Sequence, residues 1–300
     1  MILNNSKADN ALDPKRPILV TGASGKTGSK VISALARRRA RVRALVRQKN
    51  NAVQIKSLGA TETALGDFFN DDSLMAAIEG CSCVIHICPP MIPDETDLAR
   101  RLTNHCLAAG IERLILYSVL HPLMQEVPHH NNKLEAERYL VNSGQSYTIL
   151  QPSRYMQHLT PIWNKLMETG IHAMPFSVEA KFSIVDLNDL AEATGIVATS
   201  DGHESATYQL AGPEQLSQTN MVHILSRLTG KNIRAEAKSL EDFRKEAAIS
   251  GIPAARIETM VTMNRHYDTH GLVGNPNVLQ WILGRPPTTF AEFVKRDILI

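Results

Sequence analysis

The sequence predicts an α/β protein built on a doubly wound parallel sheet, and three observations carry that expectation. Short β-rich runs alternate with amphipathic helical stretches through the first half of the chain, a glycine-rich turn joins the first strand to the first helix, and 300 residues suffice for one large sheet with a smaller appendage. The strands expected are Pro17 to Thr21, Arg41 to Val46, a third ending before Gly66, Cys83 to Cys88, Arg113 to Ser118 and Ser146 to Gln151. Between them the amphipathic stretches Lys26 to Arg38, Asp72 to Ile78, Asp94 to Ala109 and Lys133 to Val141 read as helices. Beyond Pro152 the pattern gives a helix over Tyr155 to Glu168, a short strand over Lys181 to Val185, a helix over Asp186 to Ser200 and a strand over Thr207 to Ala211 that returns to the sheet. From Gly212 onward the chain reads as helical and loop-rich, punctuated by Gly271, Gly274, Pro276, Gly284, Pro286 and Pro287.

Bulk composition narrows the class. With 43% hydrophobic and 21% charged residues the chain reads as an ordinary globular protein, and a net charge of +2 argues against a polyanionic partner such as nucleic acid. The longest apolar stretches, such as Leu114 to Leu120, fall well short of the roughly 20 residues a bilayer span needs. The polar start, Met1 to Arg16, lacks the apolar core of a secretory signal and reads as a flexible leader, so a cytoplasmic location is expected. Cys81, Cys83, Cys88 and Cys106 read as reduced thiols in packed elements, since no pair has the spacing of a metal or redox site. His266 and His270 have helical spacing but no carboxylate third ligand, and no metal is expected.

The strongest local signal is Thr21-Gly22-Ala23-Ser24-Gly25-Lys26-Thr27-Gly28, placed after the apolar Ile18-Leu19-Val20 and before a helix. In that context Gly22 serves a sharp turn, Gly25 the approach of a pyrophosphate, and Gly28 close packing of helix on strand, while the first helical N–H groups attract phosphate. The second strand lacks the carboxylate that holds the ribose hydroxyls of NAD and ends in Arg47, whose guanidinium suits a 2′-phosphate; Lys26 adds a second positive charge. NADPH is therefore the expected cofactor, on a Rossmann sheet. Arg37 to Arg39 complement the end of a helix dipole and need no nucleic acid to explain them. Asp67 falls either beside the adenine or in the turn before a helix. The division expected is a leader over 1–16, a dinucleotide-binding domain over 17–152 to which 183–211 returns, and a smaller, mostly helical substrate-covering region over 153–182 and 212–300.

These motifs, with Tyr117-Ser118, the Lys133 to Leu140 helix, Gln151-Pro152 to Leu159, Val185 to Ala193, Tyr208 to Glu214 and Leu283-Gly284-Arg285-Pro286, give a chain that resembles the NmrA-like, atypical short-chain dehydrogenase/reductase group. The resemblance implies NADPH-dependent reduction of quinones, azo dyes or triphenylmethane dyes; regulators of the same group that bind NADP(H) and a protein partner without turnover are the alternative. Short-chain reductases carry Ser and Tyr-x-x-x-Lys. Here the span reads His129-His130-Asn131-Asn132-Lys133, so the lysine stays and His129 stands for the tyrosine. The resemblance implies a catalytic set of Lys133, His129 and Ser118, with Lys133 acting either through His129 or alone. Against it stand an exposed first-turn His129, a surface pair of Lys133 with Glu137 at helical spacing, and a Ser118 that caps a loop.

Pro89, Lys133 and Pro152 complete the expected cofactor contacts. Loops at the carboxyl ends of the strands supply the substrate contacts of an open α/β sheet, which singles out Met91, His121, Tyr155, Met156, His158 and Trp163. Their apolar and aromatic character predicts a small, flat, apolar substrate, although Met156 and Trp163 equally suit core packing. A monomer or homodimer is expected.

Overall fold

The computed structural model describes residues 12–299. Its centre is a seven-stranded sheet made of β1 (Ile18–Val20), β2 (Val42–Val46), β3 (Glu62–Leu65), β4 (Cys83–His86), β5 (Arg113–Tyr117), β6 (Tyr147–Pro152) and β8 (Ala206–Leu210). The order is β3-β2-β1-β4-β5-β6-β8, with every neighbouring pair parallel. Strand order reverses between β1 and β4, which opens a crevice at their carboxyl ends.

Alternation of side chains decides what each strand carries. Ile18, Val20, Cys83, Ile85, Ile115 and Tyr117 face a core under α1 (Lys26–Arg37) and α7 (Leu187–Thr199). Leu19, Val84, Leu114 and Leu116 face the opposite core under α3 (Asp71–Ile78), α4 (Glu95–Ala108) and α5 (Pro128–Asn142). Burial on both faces makes these strands continuous apolar runs, and that is why they stand out in the sequence.

A third core, with Met156, Phe176, Phe182, Phe290 and Phe293, joins the segment after β6 to α8 (Gln218–Thr229) and α12 (Phe290–Asp297). The intervening helices are α6 (Trp163–Thr169), α9 (Leu240–Ile249), α10 (Ala254–His270) and α11 (Asn277–Leu283). Capping boxes at Ser217/Asn220 and Thr289/Glu292 start α8 and α12.

Three expectations are corrected. The helix over 155–168 is broken into 3-10 turns at Met156–His158 and Thr160–Ile162 before α6, because Pro161 has no N–H for a continuing helix and its ring crowds the preceding turn. The strand over 181–185 forms only single bridges, Tyr155 with Val185 and Phe182 with Leu216 and Leu272. Two elements pass unread in the sequence: α2 (Lys49–Ser57), which buries only Ile55, and a small parallel pair, β7 (Ile171–Met174) with β9 (Arg234–Ala237). Residues 1–11 of the expected leader lie outside the described residues, whereas Arg16 is tied to Glu112 at 2.5 Å and Leu12 packs on the core.

Candidate functional site

Two loops meet at the crevice. Thr21 is fully buried; its N–H donates to the Ile85 carbonyl at 3.0 Å and its Oγ1 accepts from the Ile87 N–H at 3.0 Å, so the glycine loop is pinned to the end of β4. Gly22 has φ +60, and a Cβ there would lie 2.5 Å from the Ile87 carbonyl oxygen. Gly28 is constrained by approach: its Cβ would lie 2.3 Å from the Gly22 oxygen and 2.8 Å from the Ala23 Cα. Both positions exclude a side chain.

Gly25 caps α1 with no side-chain hydrogen bond, no acidic residue occupies the first turn, and the first helical bond runs from Ser29 N to Gly25 O. The amides of Lys26, Thr27 and Gly28 therefore keep donors without helical acceptors beside an exposed Ser24 and Lys26. Arg47 stands one residue beyond β2, exposed and without an ion pair among the described residues. Asp67 accepts from the Phe69 N–H at 2.9 Å, the turn role; its carboxylate is only partly engaged. Pro89 and the half-buried Met91, at φ +57, line the loop after β4, and Pro152 ends β6.

At the far side of the crevice α5 brings His129 and Lys133 to one carboxylate that the sequence reading missed. Lys133 Nζ lies 2.5 Å from Glu95 Oε1 and donates to the Tyr117 carbonyl at 2.7 Å; His129 Nδ1 lies 3.5 Å from Glu95 Oε2. Glu95 is 1% exposed and Lys133 6%. Burial pushes the Glu95 carboxyl up, but the Lys133 ammonium and His129 overcome it and hold the carboxyl down at about 2. Lys133 is thus no surface partner of Glu137, whose carboxylate takes the Gln151 amide at 3.0 Å. His129 is not an exposed first-turn residue either, with 12% of its side chain accessible.

Ser118, just past β5, is buried and faces Glu137 without closing a hydrogen bond of normal geometry. His86, at the end of β4, approaches Thr21 Oγ1 at 3.2 Å through Nδ1, and its Nε2 has no partner. Burial, with the Lys133 charge, drives its pKa down to about 3, so it is neutral.

The expected substrate residues divide. Tyr155, Met156 and His158 line one small apolar cavity, with Tyr155 and His158 stacked at 5.8 Å. Burial pushes the Tyr155 hydroxyl up in pKa, opposed by the Thr27 hydroxyl beside it, which ties this cavity to the first turn of α1. Trp163 packs against the third core without lining the cavity. His121 lies elsewhere: its Nε2 bonds the Val273 carbonyl at 2.7 Å, beside a separate depression formed with Gln209 and Asn275. Met91 borders neither space. Among the described residues no group of three metal-ligating side chains exists, and His266 and His270 merely pack at 4.7 Å. All four cysteines are free. No helix among the described residues is long and apolar enough to cross a membrane.

The chain is 29% identical over 279 residues to an NAD(P)H azoreductase of Xenophilus azovorans, covering 93% of this chain and 96% of that one. It superposes on an NADPH-dependent quinone oxidoreductase of Escherichia coli in complex with NADPH with a TM-score of 0.83, at 25% identity, covering 93% and 98% of the two chains. A triphenylmethane reductase of Citrobacter sp. complexed with NADP(H) shares the fold with a TM-score of 0.82 at 24% identity, covering 94% of this chain and 100% of that one. The NmrA-like family model matches residues 14–294, and the chain belongs to that family.

Proposed function

We propose that the protein is an NADPH-dependent reductase that passes a hydride to a small apolar acceptor of the quinone-like or conjugated kind. The observation that carries this reading is the cradle at the start of α1, where two side-chain-free positions and three amides without helical acceptors surround space that suits a pyrophosphate. The names of the relatives support the same reaction class. The cofactor supplies the hydride when bound.

The chain's own residues do the rest. The amides of Lys26, Thr27 and Gly28 hold the pyrophosphate, Arg47 and Lys26 take the 2′-phosphate, and Tyr155 closes the cleft over the first turn of α1. Reduction leaves charge on an acceptor oxygen, which requires a proton or a donor there. Lys133 donates one N–H to the Tyr117 carbonyl and is ion-paired with Glu95, which leaves an ammonium N–H for a ligand. We assign that donor, with the Ser118 hydroxyl, to the developing oxygen, and Glu95 and His129 to holding Lys133 in place.

Arg47→Ala is expected to weaken NADPH about tenfold or more while leaving NADH nearly unchanged, as removal of one charge-assisted contact should. Equal losses for both dinucleotides would remove the phosphate contact. Lys133→Met is expected to depress turnover on a panel of quinones and conjugated carbonyls well below the parent while NADPH affinity stays within a few-fold; unchanged turnover would take Lys133 out of the reaction. Absence of NADPH oxidation by the parent protein with every acceptor, alongside tight cofactor binding, would instead indicate a regulator that senses NADP(H).

A further inference from the structure

We propose that the cavity beside Tyr155 is an anion-reading pocket, in which Arg154 receives the carboxylate or sulfonate of an otherwise apolar, aromatic ligand. Arg154, half-buried, lines the cavity among Met156, Leu159, Ile162, Phe176, Phe182 and Phe290, whose apolar surfaces leave its charge less water than at an open surface. Its guanidinium has no carboxylate partner among the described residues; its single polar contact is the Met174 sulfur at 3.9 Å. Phe176 and Phe182 hold their rings 5.3 and 5.5 Å from its Cζ. Those π-faces offset part of the charge, but they give the planar fork of N–H donors no pair of oxygen acceptors, which is what a guanidinium matches best. Burial also draws the Arg154 pKa down to about 10, the mark of a cation short of a counter-ion.

The other polar groups in the wall are neutral. His172 Nδ1 lies 3.1 Å from Gln218 Oε1 and the Gln218 amide donates to the Phe176 carbonyl at 3.0 Å, so both are already engaged and neither competes for the guanidinium. The cavity thus combines an apolar wall with one unmatched cation. That combination selects an apolar anion over a neutral ligand of the same shape.

The inference deepens the reductase reading by naming the acceptor class, and it rests on that reading for turnover alone. The test titrates the full-length protein, saturated with NADP⁺, with naphthoate and with naphthalenemethanol, which share a ring system and differ in charge. Naphthoate is expected to bind about tenfold or more tightly than the alcohol, Arg154→Met to abolish the difference without weakening the alcohol, and Arg154→Lys to retain part of it. Equal affinities in the parent protein, or a preference that survives Arg154→Met, would overturn the proposal. If Arg154→Met does not fold, the parent comparison decides, together with substitution of Met221, another residue of the cavity wall: Met221→Trp narrows the cavity and should exclude both ligands, and naphthoate binding that survives it places the anion site elsewhere. Selective naphthoate binding without NADPH oxidation by any acceptor would remove the reductase reading and leave the pocket. Reduction of neutral acceptors with no naphthoate preference would do the reverse.

Discussion

Replacing Glu95 with Ala is expected to destabilise the folded protein by about 3–5 kcal/mol, because it strands the buried Lys133 ammonium without its carboxylate. In a chain of this size that corresponds to a fall of roughly 10 °C in melting temperature. The same pair makes stability depend on acid. The folded Glu95 carboxyl is held at about 2, below its ordinary value of 4.5, so its contribution is complete above about pH 4.5 and declines as pH falls toward 2. A shift of that size amounts to about 3 kcal/mol. Chemical denaturation of the parent protein across this window should therefore show a loss that Glu95→Gln lacks. Parallel stability profiles for parent and variant would mean that the ion pair contributes nothing. Replacing both partners by apolar residues, Glu95→Leu with Lys133→Met, should recover most of the stability, since the desolvation of two charges is removed together.

Gly28→Val is expected to reduce NADPH affinity about a hundredfold or more. The clash is with backbone, at 2.3 Å from the Gly22 oxygen and 2.8 Å from the Ala23 Cα, so no side-chain rotation relieves it. The start of α1 must move away from β1, carrying the amides of Lys26 and Thr27 out of register with a pyrophosphate, and each charge-assisted hydrogen bond lost costs about 1.5–3 kcal/mol. Gly25→Ala is a graded control, since its Cβ would lie 3.2 Å from the Gly22 oxygen and needs only a slight adjustment. Calorimetric titration of the two variants should rank Gly28→Val far below Gly25→Ala. NADPH affinity close to the parent's in Gly28→Val would move the phosphate site away from the helix start.

The sheet was legible because its central strands are buried on both faces and appear as uninterrupted apolar runs, as at Ile18–Val20 and Cys83–His86. The glycine loop was legible because a strand, a turn and a helix follow one another within a few residues. Glu95 was not, since an acidic residue in a first helical turn ordinarily answers the helix dipole in water; only the packing of α4 against α5 buries it beside Lys133. Arg154 escaped for a similar reason. It stands just after β6 and before the segment read as helix from Tyr155, and its apolar surroundings depend on Phe176 and Phe182 arriving from later in the chain. His121 and Trp163 follow the carboxyl ends of β5 and β6, where an open α/β sheet meets its substrate, but the turn after β5 and the break at Pro161 carry them away from the cavity.

The reductase reading requires of the resting protein a site for a dinucleotide phosphorylated at the adenosine ribose. Titration of the full chain with NADPH and with NADH, followed by calorimetry at modest ionic strength, tests it most directly. Saturable binding of NADPH, at least about tenfold tighter than that of NADH, is the expected result. Equal affinities, or no uptake of either dinucleotide, would contradict it.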